Sequence, residues 1–168
     1  MEERRWHVAR LDEIPTNAQL DGDEAQSRYE AVQRRDPAAV ARWDEFFARG
    51  RSAKWRTHGV RRFFGISSFG AMAFEAAAGD PLTVPHDETA YGQEELYVVV
   101  RGRARFELDG EEVEVGAGEA LFVAPPVRRG SVAVEDTLLL AIGGIPGAPY
   151  EPPTWASDYR AREPATTS

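Results

Sequence analysis

Short runs of alternating apolar and polar residues dominate the chain between residues 55 and 145. In the clearest of them, RARFELDGEEVEV, the apolar residues Ala104, Phe106 and Leu108 alternate with charged ones, and the alternation resumes after Asp109-Gly110. An Asp-Gly pair favours a two-residue type I′ turn, which needs positive φ at both positions. This run therefore predicts a β-hairpin with one apolar face.

Further short runs with β character flank this hairpin. They are RRFFGI, AMAFEA, ELYVVV, ALFVA, SVAV and TLLLAI, separated by turns that contain Gly or Pro. Seven or more strands at this spacing indicate a sandwich or a barrel that closes on itself and so protects its edges. Because strands and helices do not alternate, the pattern argues against a Rossmann-type parallel sheet and predicts an all-β fold class.

The first 54 residues have a different pattern, which predicts a strand-like N-terminal segment followed by a helical hairpin over residues 22–49. Asp21 is a candidate N-cap with Glu24 at capping-box spacing, Asp36-Pro37 favours the start of a second helix, and Gly50 favours its end. The apolar positions at helical spacing are Ala25, Tyr29, Val32, Val40, Trp43 and Phe47. We expect these positions to pack on the rest of the domain, the alternative being a partner helix or a dimer contact.

The chain thus divides into an N-terminal extension (1–54), a β domain (55–145) and an irregular C-terminal tail (146–168). The tail is rich in Pro and small polar residues, and we expect Tyr150 and Trp155 to pack it onto the domain.

Composition excludes several classes of function. The 168 residues carry a net charge of −8, which argues against binding to nucleic acid. The absence of cysteine excludes thiol chemistry. The longest apolar run, LLLAIGGI from Leu138, is too short to span a membrane, and MEERRWHVAR has no apolar signal region. We therefore expect a cytoplasmic protein without nucleic-acid or membrane partners.

Two motifs resemble those of the cupin superfamily. Glu95 is followed after six residues by Gly102, then by the hairpin, and then by GAGEALFVAPPVRRG. The resemblance covers residues 69–144 and is closest to uncharacterised bacterial single-domain cupins. It implies a double-stranded β-helix, the jelly-roll barrel, and a homodimer, since cupins are often dimers. The helical hairpin is not part of the common cupin core.

The cupin metal motif is altered in this chain. Cupin metal sites use two His and one Glu from the first motif and one His from the second. Glu95 stands at the Glu position, but His86 fits the first His position only if the connecting loop is longer than usual, and Glu88 then replaces the second His. On that alignment the resemblance implies that His86, Glu88 and Glu95 hold Fe, Mn, Ni or Zn, ions that such ligands suit.

The second motif has no histidine. One count places Arg129 at the histidine position, and another places Gly130 there. Strand alternation predicts that Tyr97 shares the inner face with Glu95, and a buried carboxylate needs a metal, an arginine, a proton or water beside it. We hypothesise that the Arg129 guanidinium replaces the metal, pairs with Glu95 and grips an anionic group of a ligand. The alternative is that Arg128 and Arg129 are both solvated.

Two further histidines are candidates of a weaker kind. His58 could reach the pocket but is more typical of a structural residue, and His7 has no clustered partners.

Three functions follow from these patterns. The first is a cupin without a cofactor that binds a small molecule, anionic ligands included, through His86, Glu95, Tyr97 and Arg129. The second is a metal-dependent oxygenase or isomerase that uses His86, Glu88 and Glu95. The third is an assembly protein whose hairpin mediates dimerisation. The fold alone does not decide between them, nor whether the protein is an enzyme.

Overall fold

Two antiparallel sheets form the body of the protein. The computed structural model describes residues 6–48 and 55–153. The nine strands within these ranges are β1 (Arg56–His58), β2 (Gly70–Ala76), β3 (Pro81–His86), β4 (Glu94–Arg101), β5 (Arg103–Leu108), β6 (Glu111–Gly116), β7 (Ala120–Val123), β8 (Arg129–Ala133) and β9 (Thr137–Gly144). The first sheet, sheet A, has the order β1-β2-β9-β4-β7, and sheet B has the order β3-β8-β5-β6.

The predicted hairpin is confirmed as β5 and β6. Asp109 and Gly110 connect the two strands with φ values of 50° and 90°, the combination that a type I′ turn requires. Ala104 and Phe106 are fully buried, as the alternation predicted. The clearest alternating run in the sequence therefore forms the hairpin that it predicted.

Helices occupy most of the N-terminal region, and the predicted helical hairpin is confirmed. The helices are α1 (Asn17–Asp21), α2 (Ala25–Arg35), α3 (Pro37–Ala48) and α4 (Val60–Phe64). The Asp36 carboxylate accepts a hydrogen bond from the Ala39 backbone N–H at 2.9 Å, which caps α3 as Asp36-Pro37 predicted. Gly50, the predicted end of this helix, lies outside the described residues.

The predicted cap of the first helix is wrong. The capping box is formed by Thr16 and Gln19 at the start of α1, and the Asp21 side chain makes no capping hydrogen bond. Asp21 instead forms ion pairs with Arg28 at 3.1 Å and Arg62 at 2.8 Å. The partner Arg62, 41 positions along the chain, explains why a local spacing rule misassigned Asp21.

Three other local predictions need correction. Most of the RRFFGI run, predicted as a strand, belongs to the helix α4. The helix is capped by Gly65, whose φ of 68° gives the left-handed conformation typical of a helix C-terminus. The described part of the N-terminal segment has no strand, only a 3-10 turn at Leu11–Glu13 and one bridge between Thr16 and His58. PLTVPH, which we did not predict as a strand, forms β3, whose edge position in sheet B tolerates proline.

Two apolar clusters hold the sheets and the N-terminal region together. The larger lies between the sheets and includes Leu82, Val99, Phe106 and Leu139. The smaller lies on the other face of sheet A, where the N-terminal segment and α4 cover the strands; its members are Ile14, Val60, Ala73 and Leu138. Sheet A is therefore packed on both faces.

Beyond β9, Tyr150 packs against the sheet as predicted. It stands over Gly70, where an added Cβ would lie 2.6 Å from the Tyr150 hydroxyl oxygen. Trp155 lies outside the described residues. Within the described ranges, every helix is too short or too polar to cross a lipid bilayer.

We predict that Gly102 is essential to the turn between β4 and β5. Its φ is 78°, and an added Cβ would lie 2.3 Å from the Asp136 carbonyl oxygen. Gly110 has a φ of 90° but open space at its Cβ position, so it serves as the control. Both Gly→Ala variants should lose roughly 1–2 kcal/mol to the left-handed conformation, and Gly102→Ala should lose more, as measured by urea unfolding. Equal losses would contradict the steric argument.

Candidate functional site

The inner face of β4 places Glu95 between the sheets. Glu95, Tyr97 and Val99 are buried, whereas Leu96 and Val100 are exposed on the other face, as alternation predicted. Glu95 is therefore a carboxylate directed towards an apolar interior, where an ionised group without partners would be very unfavourable.

Three side chains satisfy the Glu95 carboxylate. The Tyr97 hydroxyl donates a hydrogen bond to Oε2 at 2.6 Å, and Gln93 Nε2 donates to Oε1 at 3.2 Å. Arg129 Nε lies 3.2 Å from Oε2. Burial by itself raises the pKa of Glu95, but His86, Tyr97 and Arg129 outweigh it and lower that pKa below its usual range. Burial and the adjacent carboxylate raise the pKa of Tyr97 well above its usual value. Glu95 is therefore the ionised centre of the site, and Tyr97 is its neutral donor.

Arg129, at the start of β8, forms the predicted pair with Glu95. Its side chain is fully buried, and its two terminal nitrogens lie 3.4 and 3.3 Å from the carbonyl oxygens of Pro125 and Ala124, to which they donate. The guanidinium is thus fixed from both sides, and the alternative of a solvated Arg129 is wrong. Its predicted contact with a ligand stays a prediction.

His86 is the last residue of β3 and the register partner of Arg129. Its Nδ1 lies 2.6 Å from the Val84 carbonyl oxygen. Because a carbonyl only accepts, Nδ1 carries the proton, and in the neutral ring Nε2 holds a lone pair. Nε2 faces the carboxylates of Glu88 at 3.3 Å and Glu95 at 3.7 Å. A lone pair facing two carboxylates is repulsive, so Nε2 needs either a proton or a metal ion.

Glu88 completes the cluster from the loop after β3. Its backbone N–H donates to the Pro125 carbonyl oxygen at 2.9 Å, which anchors the loop to the turn that precedes β8. The residue is 1% exposed, and within the described part of the chain its carboxylate oxygens accept no hydrogen bond of good geometry. Glu88 therefore depends on a cation at or near His86 Nε2.

A proton on His86 balances the cluster. Burial alone lowers the pKa of His86, but the nearby Glu88 and Glu95 carboxylates outweigh it and raise that pKa to about 9. At neutral pH the two carboxylates then face two cations, His86 and Arg129. The four charges cancel without a metal ion.

The same residues also offer donors to a metal ion. Ligand atoms of His86, Glu88 and Glu95 lie within 4.8 Å of one another, so the structure brings together the three residues predicted as ligands. The Nδ1–H bond to a backbone carbonyl orients the ring as in many metal-binding histidines. Arg129, however, stands beside Glu95 as a fixed cation and would repel the ion. The donor chemistry fits a divalent metal, and the neighbouring charge weakens that fit.

A cavity of about 820 Å³ opens beside this cluster, bounded by the sheets on one side and by the helices on the other. His86, Gln93, Glu95 and Tyr97 contribute its polar groups near the cluster. Its apolar lining includes Tyr29, Val32, Trp43, Trp55, Met72, Phe74 and Ala141. Arg129 and Glu88 do not line it; they lie behind the residues that do.

Sequence reasoning missed two features of this site. Gln93 precedes Glu95 by two residues and so shares its face, a signal that alternation contained. The helical hairpin was predicted to pack on the domain, but no local pattern in the sequence indicated that it would form one wall of a cavity.

His58 is a structural residue: its ring lies 2.6 Å from the Ile14 carbonyl oxygen and 3.3 Å from the Glu75 carboxylate. His7 contacts the rings of Phe63 and Phe64.

No protein family profile matches the chain. No curated protein matches it either. Solved structures do match part of it. KdgF from Halomonas sp. is 25% identical, with a TM-score of 0.41 over 46% of this chain and 68% of its own. An RmlC-like cupin from Desulfovibrio desulfuricans is 24% identical, with a TM-score of 0.43 over 46% of this chain and 73% of its own.

A sugar phosphate isomerase of the cupin superfamily from Silicibacter pomeroyi is 20% identical, with a TM-score of 0.48 over 54% of this chain and 59% of its own. Cupins are thus among the structures that part of this chain resembles, and the likeness concerns the fold alone.

We predict that the pair of Arg129 and Glu95 is strongly coupled. Arg129→Met should lose about 3–5 kcal/mol of unfolding free energy, because it leaves a buried carboxylate without its cation. Adding Glu95→Gln should recover part of that loss, since the remaining group is neutral. Urea unfolding of the two single variants and the double variant measures the coupling. Strictly additive losses would contradict it.

We also predict a pH-dependent contribution of His86 to stability. Its pKa is about 9 in the folded protein and about 6.5 in an unfolded chain. The stabilisation is therefore fully present below about pH 6.5 and is lost as the pH rises through 9. The difference in unfolding free energy between wild type and His86→Gln, measured with a chelator present, should shrink over this interval. A difference that stays constant from pH 6 to 9.5 would contradict the assignment.

Proposed function

We propose that this protein binds a small, largely apolar molecule in the cavity between its sheets and its helical hairpin. The observation that supports the proposal is the size and lining of that cavity: about 820 Å³, mainly apolar, with His86, Glu95 and Tyr97 converging on one region of its wall. Cavities of this volume and character are typical of small-molecule sites. The polar end of the ligand would meet the His86 and Glu95 side chains.

The proposed scaffold is the cupin double-stranded β-helix, in which the two sheets close into a jelly-roll barrel. The helical hairpin adds a wall that the common cupin core lacks. The homodimer stays a prediction, and in this proposal each chain carries its own complete cavity.

Fixed charges behind the cavity support binding without a metal. Protonated His86 and Arg129 neutralise Glu88 and Glu95, so the polar end of the cavity is held in place before a ligand arrives. Such preorganisation lowers the entropic cost of binding.

A metal-dependent function is the second candidate, because the orientation of His86 and the buried Glu88 carboxylate, whose oxygens accept no hydrogen bond from the described residues, favour it. His86 Nε2, Glu88 and Glu95 would hold a divalent ion, which would act as a Lewis acid on a bound substrate. Here the protein's own contribution would be the Val84 carbonyl that fixes the His86 ring, and Tyr97, which would orient Glu95.

We predict that filling the cavity abolishes binding. Ala141 lies on the inner face of β9 and lines the cavity, so Ala141→Leu should block 1-octanol, whose binding to the wild type should show a negative heat-capacity change in calorimetry. Ala120→Leu makes the same change at an exposed position of β7 and is the matched control. Wild type that ignores 1-octanol, or Ala141→Leu that binds it normally, would overturn the proposal.

Metal content separates the two candidates. The proposal predicts that protein purified without an affinity tag carries no stoichiometric iron, manganese, nickel or zinc by elemental mass spectrometry. The second candidate predicts near-stoichiometric metal that is lost in His86→Ala and Glu88→Gln. It should be retained in Asp87→Asn, which alters an exposed neighbouring carboxylate.

A further inference from the structure

The amide of Gln93 is a polar group at the cavity wall whose hydrogen bonding is incomplete. Gln93 lines the cavity and is 6% exposed. Its Nε2 donates a hydrogen bond to Glu95 Oε1 at 3.2 Å. Its own oxygen, Oε1, is buried, and no described residue donates a hydrogen bond to it. A buried acceptor without a donor is unfavourable, so this oxygen requires an explanation.

The Glu95 carboxylate determines which way this amide points. Glu95 receives a hydrogen bond from the Tyr97 hydroxyl and lies beside the Arg129 guanidinium, so it acts as an acceptor. The Gln93 atom that faces it must therefore be the donor Nε2, because the reverse orientation would bring two acceptor oxygens together. The Gln93 Oε1 atom is consequently directed away from Glu95.

Gly143 provides the surface on which the amide lies. It is the register partner of Glu95 on β9, and it also lines the cavity. A Cβ added at Gly143 would lie 2.6 Å from Gln93 Nε2 and 3.1 Å from Gln93 Oε1. Glycine therefore leaves the room that the amide needs between Gly143 and Glu95. The unpartnered oxygen is held in place at the cavity wall.

Neighbouring donors at the polar end of the cavity are used within the protein. The Tyr97 hydroxyl donates to Glu95, and His86 Nδ1–H donates to the Val84 carbonyl oxygen. Arg129, which the sequence predicted to grip an anion, does not line the cavity and directs its terminal nitrogens at backbone carbonyl oxygens. The polar end therefore lacks a donor for Gln93 Oε1, and an ionised carboxylate has none to give.

We infer that Gln93 Oε1 selects a neutral ligand that carries a hydrogen-bond donor: an alcohol or a primary amide attached to an apolar chain or ring system. The inference rests on the proposed function and deepens it, because it identifies the polar group of the apolar molecule. Glu95 already faces Arg129, so the ligand needs no charge of its own. A buried polar group that is left unpaired rejects an analogue without the complementary group, even at equal size.

The test compares ligands of similar size that differ in their polar group: 1-octanol, octanamide, heptyl methyl ether and octanoate. Calorimetry should show that 1-octanol and octanamide bind wild type about tenfold more tightly than the ether, an isomer of 1-octanol that only accepts hydrogen bonds. Transfer out of water alone favours the ether, because a hydroxyl loses more hydration than an ether oxygen. Octanoate, which also only accepts, should bind no more tightly than the ether.

Two pairs of variants assign the preference to the Gln93 amide. Gln93→Met removes the amide at nearly unchanged volume and should abolish the preference for 1-octanol over the ether. Gln26→Met should keep it and is the matched control, because Gln26 also donates from Nε2 to a glutamate, Glu30, but at an exposed position outside the cavity. Gly143→Ala should weaken the preference by displacing the amide, whereas Gly144→Ala, which adds its Cβ to open space, should not.

The outcomes separate this inference from the proposed function. Equal affinities of wild type for 1-octanol and the ether, tighter binding of octanoate than of 1-octanol, or a Gln93→Met variant that keeps the preference would overturn the inference and leave the proposed function standing. If none of the four ligands binds, the proposed function fails and the inference fails with it.

Discussion

The Glu95 carboxylate, buried between two sheets, is the constraint on which the site depends. An ionised carboxylate in such a place requires compensating groups, and the chain provides a guanidinium, a hydroxyl and an amide within 3.2 Å. These partners come from β4 itself, from the residue just before it and from β8. The charge thus ties the two sheets together at the point where the cavity opens.

The same constraint extends to the residues around Glu95. His86 is held by the Val84 carbonyl so that its second nitrogen faces two carboxylates. Glu88 lies within reach because its backbone is anchored to the turn before β8. A proton at His86 completes a neutral cluster, whereas a metal ion at the same atom would add charge beside Arg129. The competition between a proton and a metal at one nitrogen is therefore the central chemical question of this site.

The helical hairpin changes what the sheets can bind. The sheets supply the polar cluster and half of the apolar lining, and the helices supply Trp43, Val32 and the opposite wall. A molecule in the cavity would contact both. Because Asp21 joins α1 to α2 and α4 through Arg28 and Arg62, the wall has fixed geometry rather than a loose set of side chains.

Much of this architecture could be predicted from the sequence, because its causes are local. The type I′ turn at Asp109-Gly110, the alternation along β4 and the start of α3 at Asp36-Pro37 each depend on residues within a few positions of one another. The grouping of His86, Glu88 and Glu95 was also predicted, through motif spacing. One failure had a distant cause: Asp21 satisfied the spacing of a cap, but Arg62, 41 positions along the chain, determines its role.

Only the tertiary structure decided which side chains face each other across the cavity. That Arg129 would be fully buried against two carbonyl oxygens depends on how the turn before β8 folds back. That Tyr150 would stand over Gly70 and carry Arg61 depends on strand register and on the path of the chain after β9. Neither leaves a pattern in the sequence. Arg129 pairs with Glu95, which lies 34 positions earlier, and Tyr150 lies 80 or more positions from Gly70 and Arg61. The sequence by itself determined the strands and their faces, and the packing of sheets against helices determined the cavity.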